Sequence, residues 1–397
     1  MTTVSMRSTE EWTRMHSRRT AAFAMALLTL GAAACASTKS SSPIEKSTTR
    51  SFLRSFEGVS RVASTVPRNG DVNPYGVAIV PTTIGHLVAG DTLVSNFNNR
   101  ANVQGTGTTI VEITPLGSAQ LFSRVSHLRT GLSCPGGVGL DTALGVLPGG
   151  WVVVGSLPTG SRGTLPGTDP AGCLIILDPQ GAPVETISNK NLVGPWDMAV
   201  ESTPRRATLF VANALGESGI NSGPPVVNTS TVVRLGMSLS AGRPPALMST
   251  TIVGAGFPWI ANQAALVLGP TGLALGRHGT LYVDDTQRNT ISVIPSAMTR
   301  TNAVVYGSSI ISSGGALNAP LGMALAPNGD LLVVNGNNGN AIEVTPAGDQ
   351  IATRTLIKSG VGDLIGLAVT SNGHGIEFGD DGANVLDLLH AGSKGTT

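Results

Sequence analysis

Short runs of apolar residues, bounded by glycine and proline, recur along most of this chain. Examples are LLVVN (residues 331–335), WVVVG (151–155) and LFVAN (209–213). These runs contain β-branched residues and do not alternate with polar residues, which is typical of strands that are buried on both faces. The pattern therefore predicts many short strands in stacked sheets.

The apolar runs form a repeat. Residues 269–297 and 319–356 both read as Pro-x-Gly, an apolar strand, a glycine turn, a second strand, a polar turn and a third strand. Starts of this kind, one of them degenerate, occur at Pro74, Pro135, Pro195, Pro270, Pro320 and Leu364. Their spacing of about 45 to 75 residues fits one four-stranded propeller blade plus insertions.

The two ends of the repeat region predict how a ring would close. The last unit has three strand-like runs within residues 366–389 and lacks a fourth. The segment SFEGVSRVAST (residues 55–65) has no other partner, so it can supply the missing strand and remove an exposed sheet edge. We predict an all-β, six-bladed β-propeller of four-stranded antiparallel blades over residues 52–390. An N-terminal strand joins the last blade, and residues 391–397 form a tail.

Aligning the six units at the end of the second strand separates turn residues from candidate site residues. One column holds only Asn, Asp or Ser: Asn96, Ser156, Asn213, Asp285, Asn335 and Asp380. Such side chains bond to nearby backbone, so we predict turn roles for Asp285 and Asp380. In the columns directly before and after, the only charged residues are Asp284 and Asp381. Because they break the repeat's local rule, we predict a ligand-binding role for both, with solvated loop carboxylates as the alternative.

Propeller geometry places the turns after the second strands and the loops entering the first strands on one face of the disc. Two long insertions, residues 156–172 and 214–230, lie on this loop-rich face, which indicates a binding face. The predicted ligand-binding residues are Trp196, Asp197, Trp259, Asp284 and Asp381. Either tryptophan offers a stacking surface over the central opening, and packing between blades is the alternative.

The repeat resembles six-bladed propellers of the NHL-repeat type and their lactonase-like relatives, across residues 52–390. Those relatives hold a divalent metal through Glu, Asn and Asp side chains at the mouth of the central channel. The resemblance implies Asp197, Asn213, Asp284 and Asp381 as metal ligands here, and oxygen ligands of this sort suit Ca²⁺ or Mg²⁺. This chain has no Glu at an equivalent inner position. The resemblance bears on fold more than on function.

Composition narrows the function classes. Charged residues make up 12% of the 397-residue chain, and the formal net charge is +1. With no basic stripe, we predict no nucleic-acid partner. The sequence has no P-loop, no G-x-S-x-G elbow and no HExxH histidine pair, and we predict no bound cofactor unless the metal site exists. His278 and His374 fall in glycine turns on the face opposite the loop-rich one.

The N-terminus predicts export. Three arginines within residues 14–19 precede an uncharged stretch, AAFAMALLTLGAAA (residues 21–34), and then Cys35. These features form a secretory signal, and the stretch is too short for a convincing membrane span. Small residues directly before a cysteine resemble a bacterial lipoprotein signal, which implies lipidation of Cys35. Cleavage near the alanines, without an anchor, is the alternative.

We therefore predict a signal peptide over residues 1–34 and a flexible tether over 35–51. The predicted location is periplasmic or on the cell surface, with membrane contact only through the lipid anchor. Cys134 and Cys173 then form an even pair in an exported chain, which favours a disulfide over two buried thiols.

Two functions are consistent with these patterns. The first is a binding or interaction module that presents the loop-rich face to a protein or small molecule. The alternative is a metal-dependent, lactonase-like hydrolase or lyase that acts at the mouth of the central channel. No motif decides whether the protein is an enzyme.

Overall fold

Six antiparallel β-sheets surround a central channel in the computed structural model. It describes residues 50–125, 128–159, 172–216, 226–262, 266–358 and 360–392. The first strand of each sheet contacts the first strands of both neighbouring sheets, so the ring is closed. The predicted signal peptide and Cys35 lie outside the described residues, as do most of the tether and the middle of both long insertions. No helix in the described ranges is long and apolar enough to cross a membrane.

The first three blades follow a short N-terminal strand, β1 (Gly58–Ser64). Blade 1 comprises β2 (Val72–Ile79), β3 (Thr92–Asn98), β4 (Thr109–Ile113) and β5 (Ala119–Arg124). Blade 2 comprises β6 (Leu140–Leu147), β7 (Trp151–Ser156), β8 (Cys173–Leu177) and β9 (Pro183–Ile187). Blade 3 comprises β10 (Pro195–Thr203), β11 (Arg206–Gly216), β12 (Val227–Ser240) and β13 (Arg243–Asn262), with β14 (Leu266–Leu268) beside β13.

The last three blades complete the ring. Blade 4 comprises β15 (Pro270–Leu275), β16 (Leu281–Asp285), β17 (Thr290–Ile294) and β19 (Ile310–Ser313); β18 (Val304–Val305) pairs with β13. Blade 5 comprises β20 (Pro320–Leu325), β21 (Leu331–Asn335), β22 (Asn340–Val344) and β23 (Gln350–Thr355). Blade 6 comprises β24 (Leu364–Val369), β25 (Gly375–Asp380) and β26 (Val385–His390). Two 3-10 helices, Leu53–Ser55 and Arg277–Gly279, lie outside the sheets.

The N-terminal strand closes the ring as the sequence predicts. β1 pairs antiparallel with β26, with Gly58 opposite His390 and Ser64 opposite Val385. It is the fourth, outer strand of blade 6, so the edge of β26 is covered. The predicted six-bladed propeller of four-stranded blades is confirmed.

Alternate residues of the apolar strands face different neighbouring blades. In β7, Val152 and Val154 pack in the cluster shared with blade 1, whereas Trp151 and Val153 pack in the cluster shared with blade 3. A strand between two blades thus buries both of its faces, which is why these runs are continuously apolar. Burying each such side chain contributes about 1.5–3 kcal/mol.

The predicted turn column has the same position in all six blades. Each of its residues lies opposite a residue near the start of the first strand, and the register then shifts: Pro74–Asn96, Leu140–Ser156, Pro195–Asn213, Pro270–Asp285, Pro320–Asn335 and Leu364–Asp380. A bulge therefore recurs where each inner strand enters the ring, at the position where bulges commonly re-aim side chains.

Blade 2 corrects one predicted start. Its first strand begins at Leu140 rather than at Pro135. Pro135 belongs to a turn in which Gly137 N–H donates to Cys134 O at 2.9 Å. Cys134 is disulfide-bonded to Cys173 at the start of β8, with Cα atoms 5.4 Å apart. The Pro-Gly-Gly sequence is thus a turn that precedes the strand, and the disulfide anchors it to β8.

Candidate functional site

A cavity of about 580 Å³ lies where the inner strands begin and the second strands end. Tyr75 and Ile365 line both this cavity and a narrow space of about 70 Å³ between the inner strands of all six blades. The cavity is therefore the mouth of the central channel. Its lining includes many Asn and Gln side chains and two carboxylic acids, Asp363 and Asp381, but no Lys, Arg or His among the described residues. We call it the mouth cavity.

Asp381 lies at the wall of the mouth cavity, directly after the turn residue of blade 6. Its backbone N–H donates to Asp363 O at 2.8 Å, which holds the two carboxyl-bearing loops together. Burial, followed by the charges of Asp363 and Asp380, raises the pKa of Asp381 to about 7. The predicted ligand-binding residue Asp381 is thus in a cavity and titrates near neutral pH.

An amide chain supports Asp381. With the Asn73 amide nitrogen turned to the carboxylate, it donates to Asp381 Oδ1 at 2.9 Å, and Asn73 Oδ1 accepts from Asn98 Nδ2 at 2.9 Å. Asn98 Nδ2 also donates to Asn102 Oδ1 at 2.7 Å. Asn73 has a positive φ of 69°, and its N–H donates to Asn384 Oδ1 at 2.7 Å. The side chain of Asn73 is therefore fixed by contacts at both ends.

Burial also changes the pKa of Tyr75, whose hydroxyl group interacts electrostatically with Asp381. Desolvation, then the Asp381 charge, raises the pKa of the Tyr75 hydroxyl, and a hydrogen bond with Asn73 opposes this in part. The phenol thus stays neutral and can act as a hydrogen-bond donor across the working pH range.

Asp197 and Asp284 lie deeper and do not join Asp381. Asp197 lines the narrow channel and accepts from Leu273 N at 2.9 Å. Asp284 is wholly buried; its Oδ1 accepts from Thr271 Oγ1 at 2.5 Å and from Gly272 N at 2.6 Å. Burial raises the pKa of Asp197 to about 8 and that of Asp284 to about 6. Asp197 therefore borders the open space of the channel, whereas the side chain of Asp284 is enclosed by its hydrogen-bond partners.

The structure does not assemble the implied metal site. Asn213 Oδ1 accepts from Gly194 N at 3.3 Å, and its Nδ2 donates to Asn191 O and Thr231 Oγ1. Among the described residues, no three His, Cys, Asp or Glu side chains are placed to share a metal ion. Asn213 is thus engaged by the backbone and by Thr231, and Asp197, Asp284 and Asp381 do not form a shared metal site in the described part of the chain.

The two tryptophans predicted to bind a ligand are buried rather than exposed to solvent. Trp196 and Trp259 are each 1% exposed. Trp196 contacts Tyr75 edge-to-face, with centroids 5.8 Å apart, and contributes to the wall of the mouth cavity. Trp259 Nε1 donates to Thr229 Oγ1 at 2.9 Å. Trp259 thus packs inside the protein, which is the alternative that the sequence left open. Trp196 is also packed, but it borders the mouth cavity as well.

The turn column behaves as the sequence predicts. Asp285 Oδ1 accepts from Arg288 N at 2.9 Å, and Asp380 Oδ1 accepts from Ala383 N at 2.8 Å. Both carboxyl groups close the turn that follows the second strand, so they are structural.

Sequence reasoning missed Asn73, Tyr75, Asn98 and Asp363. Two signals were present: the cluster of asparagines in NFNNRAN (residues 96–102), and the polar residues Asn73 and Asp363 directly before the predicted repeat starts Pro74 and Leu364. Neither signal indicates by itself that the side chains meet.

The chain folds as a six-bladed β-propeller. It is similar to a structural-genomics target provisionally assigned as a gluconolactonase, at 14% identity and a TM-score of 0.54, over 86% of this chain and 96% of that one. It is also similar to a gluconolactonase from Xanthomonas campestris, at 12% identity and a TM-score of 0.50, over 87% and 94%. A streptogramin B lyase aligns at 12% identity and a TM-score of 0.48, over 86% and 100%.

At such identities the likeness concerns the fold alone. No protein-family model and no curated protein sequence matches the chain. Evidence for the function therefore comes from the cavity itself.

Proposed function

We propose that the protein is a binding module and that the mouth cavity holds a small polar ligand. The supporting observation is a cavity of about 580 Å³ whose wall combines amide groups, two carboxyl groups and two aromatic rings. Ligand sites are typically concave, of this size, and carry a few fixed polar groups for orientation. Here the bonded chain Asn102–Asn98–Asn73–Asp381 fixes those groups.

Filling the cavity tests this proposal. Val361 lines the cavity and is 74% exposed, so Val361→Trp narrows the opening without disturbing the core. Leu116→Trp is the matched control, because Leu116 is 98% exposed and does not line the cavity. Saturation-transfer NMR with a panel of sugars, sugar lactones, amines and short peptides should give signals that Leu116→Trp keeps and Val361→Trp loses. Signals that survive in both variants would place binding elsewhere.

A second candidate is hydrolysis of a lactone in the same cavity. Asp381 favours it, because a carboxyl group with a pKa of about 7 is suited to act as a general base near neutral pH. Asp381 would take a proton from water as the water oxygen bonds to the carbonyl carbon. The ring C–O bond would then break, and the ring oxygen would take that proton, so that one water is added overall. The fold similarity to gluconolactonases supports this choice of substrate class.

Base uptake during δ-gluconolactone hydrolysis tests the second candidate. We expect Asp381→Asn to lower the enzymatic rate by about 100-fold or more, and the native rate to rise through pH 7 as the base ionises. Asp349→Asn, in an exposed turn, is the control. Equal rates for native protein and Asp381→Asn would remove the hydrolase candidate.

We also propose that the protein is exported and lipid-anchored through Cys35. The signal-like N-terminus supports this, and so does the Cys134–Cys173 disulfide, because disulfides persist in oxidising compartments. Cys35→Ser should move the protein from the membrane fraction to the soluble exported fraction. An unchanged membrane fraction for Cys35→Ser would contradict lipidation.

A further inference from the structure

The charged side chains in the described lining of the mouth cavity are all acidic. Its described lining holds the carboxyl groups of Asp363 and Asp381 and lacks any cationic side chain. The carboxylate oxygens of Asp381 accept from the Asn73 amide, which is neutral and leaves the charge of the carboxylate uncompensated. A concave site lined by one sign of charge concentrates ions of the opposite sign, so this cavity favours a cation over an anion.

An unused acceptor lies in the same wall. Asn98 is 2% exposed, and its Nδ2 already donates to both Asn73 and Asn102. Its Oδ1 has no hydrogen-bond partner within the described ranges. A buried acceptor without a donor costs free energy, so a ligand that donates a hydrogen bond here would be favoured. This acceptor is a separate atom from the two carboxyl groups, and it adds the requirement that the ligand carry a hydrogen-bond donor.

Two aromatic rings complete the wall. Tyr75 and Trp196 both line the cavity, and their edge-to-face contact fixes the angle between them. The face of an aromatic ring attracts a cation and also packs against apolar carbon. A bare divalent metal ion would gain little from these rings and would require six or more oxygen ligands. An ion that carries both carbon and N–H groups can interact with the carboxyl groups, the amide acceptor and the aromatic rings of this wall.

We propose that the mouth cavity binds an organic ammonium ion. Asp381 and Asn98 accept its N–H groups, Asp363 adds to the negative potential, and Tyr75 and Trp196 pack against its carbon skeleton. This assignment rests on the proposed role of the cavity as a ligand site and specifies the class of ligand.

Three probes that share one ring and differ in charge test the assignment: benzylammonium, benzyl alcohol and benzoate. In calorimetric titrations of the native protein at pH 7.5, benzylammonium should bind about tenfold more tightly than benzyl alcohol, and benzoate more weakly still. Asp381→Asn should weaken benzylammonium binding by about tenfold and leave benzyl alcohol unchanged, whereas Asp349→Asn should alter neither. Thermal unfolding of each variant checks that the fold is retained.

The outcomes separate this inference from the proposed function. If benzyl alcohol binds as tightly as benzylammonium and Val361→Trp abolishes both, the cavity is a ligand site but the ammonium assignment is wrong. If benzylammonium binds equally to the native protein and to Val361→Trp, both are wrong. Absence of benzylammonium binding also overturns the assignment.

Discussion

In blades 1 and 4, a side chain of the second strand accepts the N–H at the bulge of the inner strand. Ser95 Oγ accepts from Gly76 N at 2.9 Å, and Asp284 Oδ1 accepts from Gly272 N at 2.6 Å. Both acceptors occupy the column just before the turn residue. Since a hydroxyl does in blade 1 what a carboxyl does in blade 4, the charge of Asp284 is not needed for this bond.

Substitution of Asp284 tests its role at the bulge. Asp284→Ala leaves Gly272 N–H and the Thr271 hydroxyl without this acceptor, so it should lower the free energy of unfolding by about 1–3 kcal/mol. Asp284→Ser supplies an acceptor of the kind used in blade 1 and should cost less. Urea unfolding compares the two variants. Equal losses for alanine and serine would show that the bulge bond is not what Asp284 contributes.

The N-terminal 3-10 helix is held by one carboxylate of blade 5. Glu343 accepts from Phe52 N and from Leu53 N, each at 2.8 Å, and also from Ser51 Oγ. Leu53 and Phe56 are buried in the cluster between blades 5 and 6. Hydrogen bonds to the charged form lower the pKa of Glu343 in spite of its burial. The segment before β1 is therefore part of the ring.

Glu343→Gln tests this attachment. The amide replaces one acceptor oxygen with a donor that faces a backbone N–H, so we expect a loss of about 1–3 kcal/mol in the free energy of unfolding. Hydrogen exchange at the Phe52 and Leu53 amides should be faster in the variant. Glu201→Gln, at an exposed strand position, is the control. Unchanged exchange at both amides would contradict the attachment.

Because β1 closes the ring, we expect two N-terminally truncated chains, one with β1 and one without it, to differ strongly in stability. A chain that begins at Arg50 keeps β1 and the 3-10 helix and should unfold cooperatively, as the full chain does. A chain that begins at Val66 exposes the edge of β26 and removes Ala63 from the cluster around Leu386, so it should aggregate or unfold at lower urea. Circular dichroism and light scattering compare them. Equal stability of both chains would mean that β1 does not close the ring.

The strands could be predicted from the sequence because their signals are local. An apolar run such as LLVVN and a spare segment such as residues 55–65 can be recognised without knowing what they contact. The start of blade 2 was mispredicted because the turn at Pro135 imitates the repeat's first residues. The site was harder, because Asn73, Asn98 and Asp381 come from two different blades, and only the closed ring brings them together.

Burial in this low-charge ring raises the pKa of several carboxyl groups at once. The affected groups with the largest shifts are Asp197 (about 8), Asp285 and Asp381 (about 7), and Asp284, Asp330 and Asp387 (about 6). Desolvation is the first cause for each of them. The whole molecule should therefore hold protons that an unfolded chain has released, and its stability should depend on pH in an unusual direction.

We expect the folded state to lose stability as the pH rises from about 4 to about 8. In the unfolded chain the aspartates ionise near pH 4, whereas in the folded chain they keep their protons to higher pH. Between those values the folded state binds more protons, so the free energy of unfolding falls with rising pH and levels off once Asp197, with a pKa of about 8, has lost its proton. The urea midpoint should be lower at pH 8 than at pH 5. Asp197→Asn removes the group with the highest of these pKa values and should flatten the fall between pH 6 and pH 8, whereas Asp349→Asn should follow the native protein. A midpoint that is unchanged or higher at pH 8 would mean that the buried carboxyl groups ionise in the folded protein as readily as they do in water.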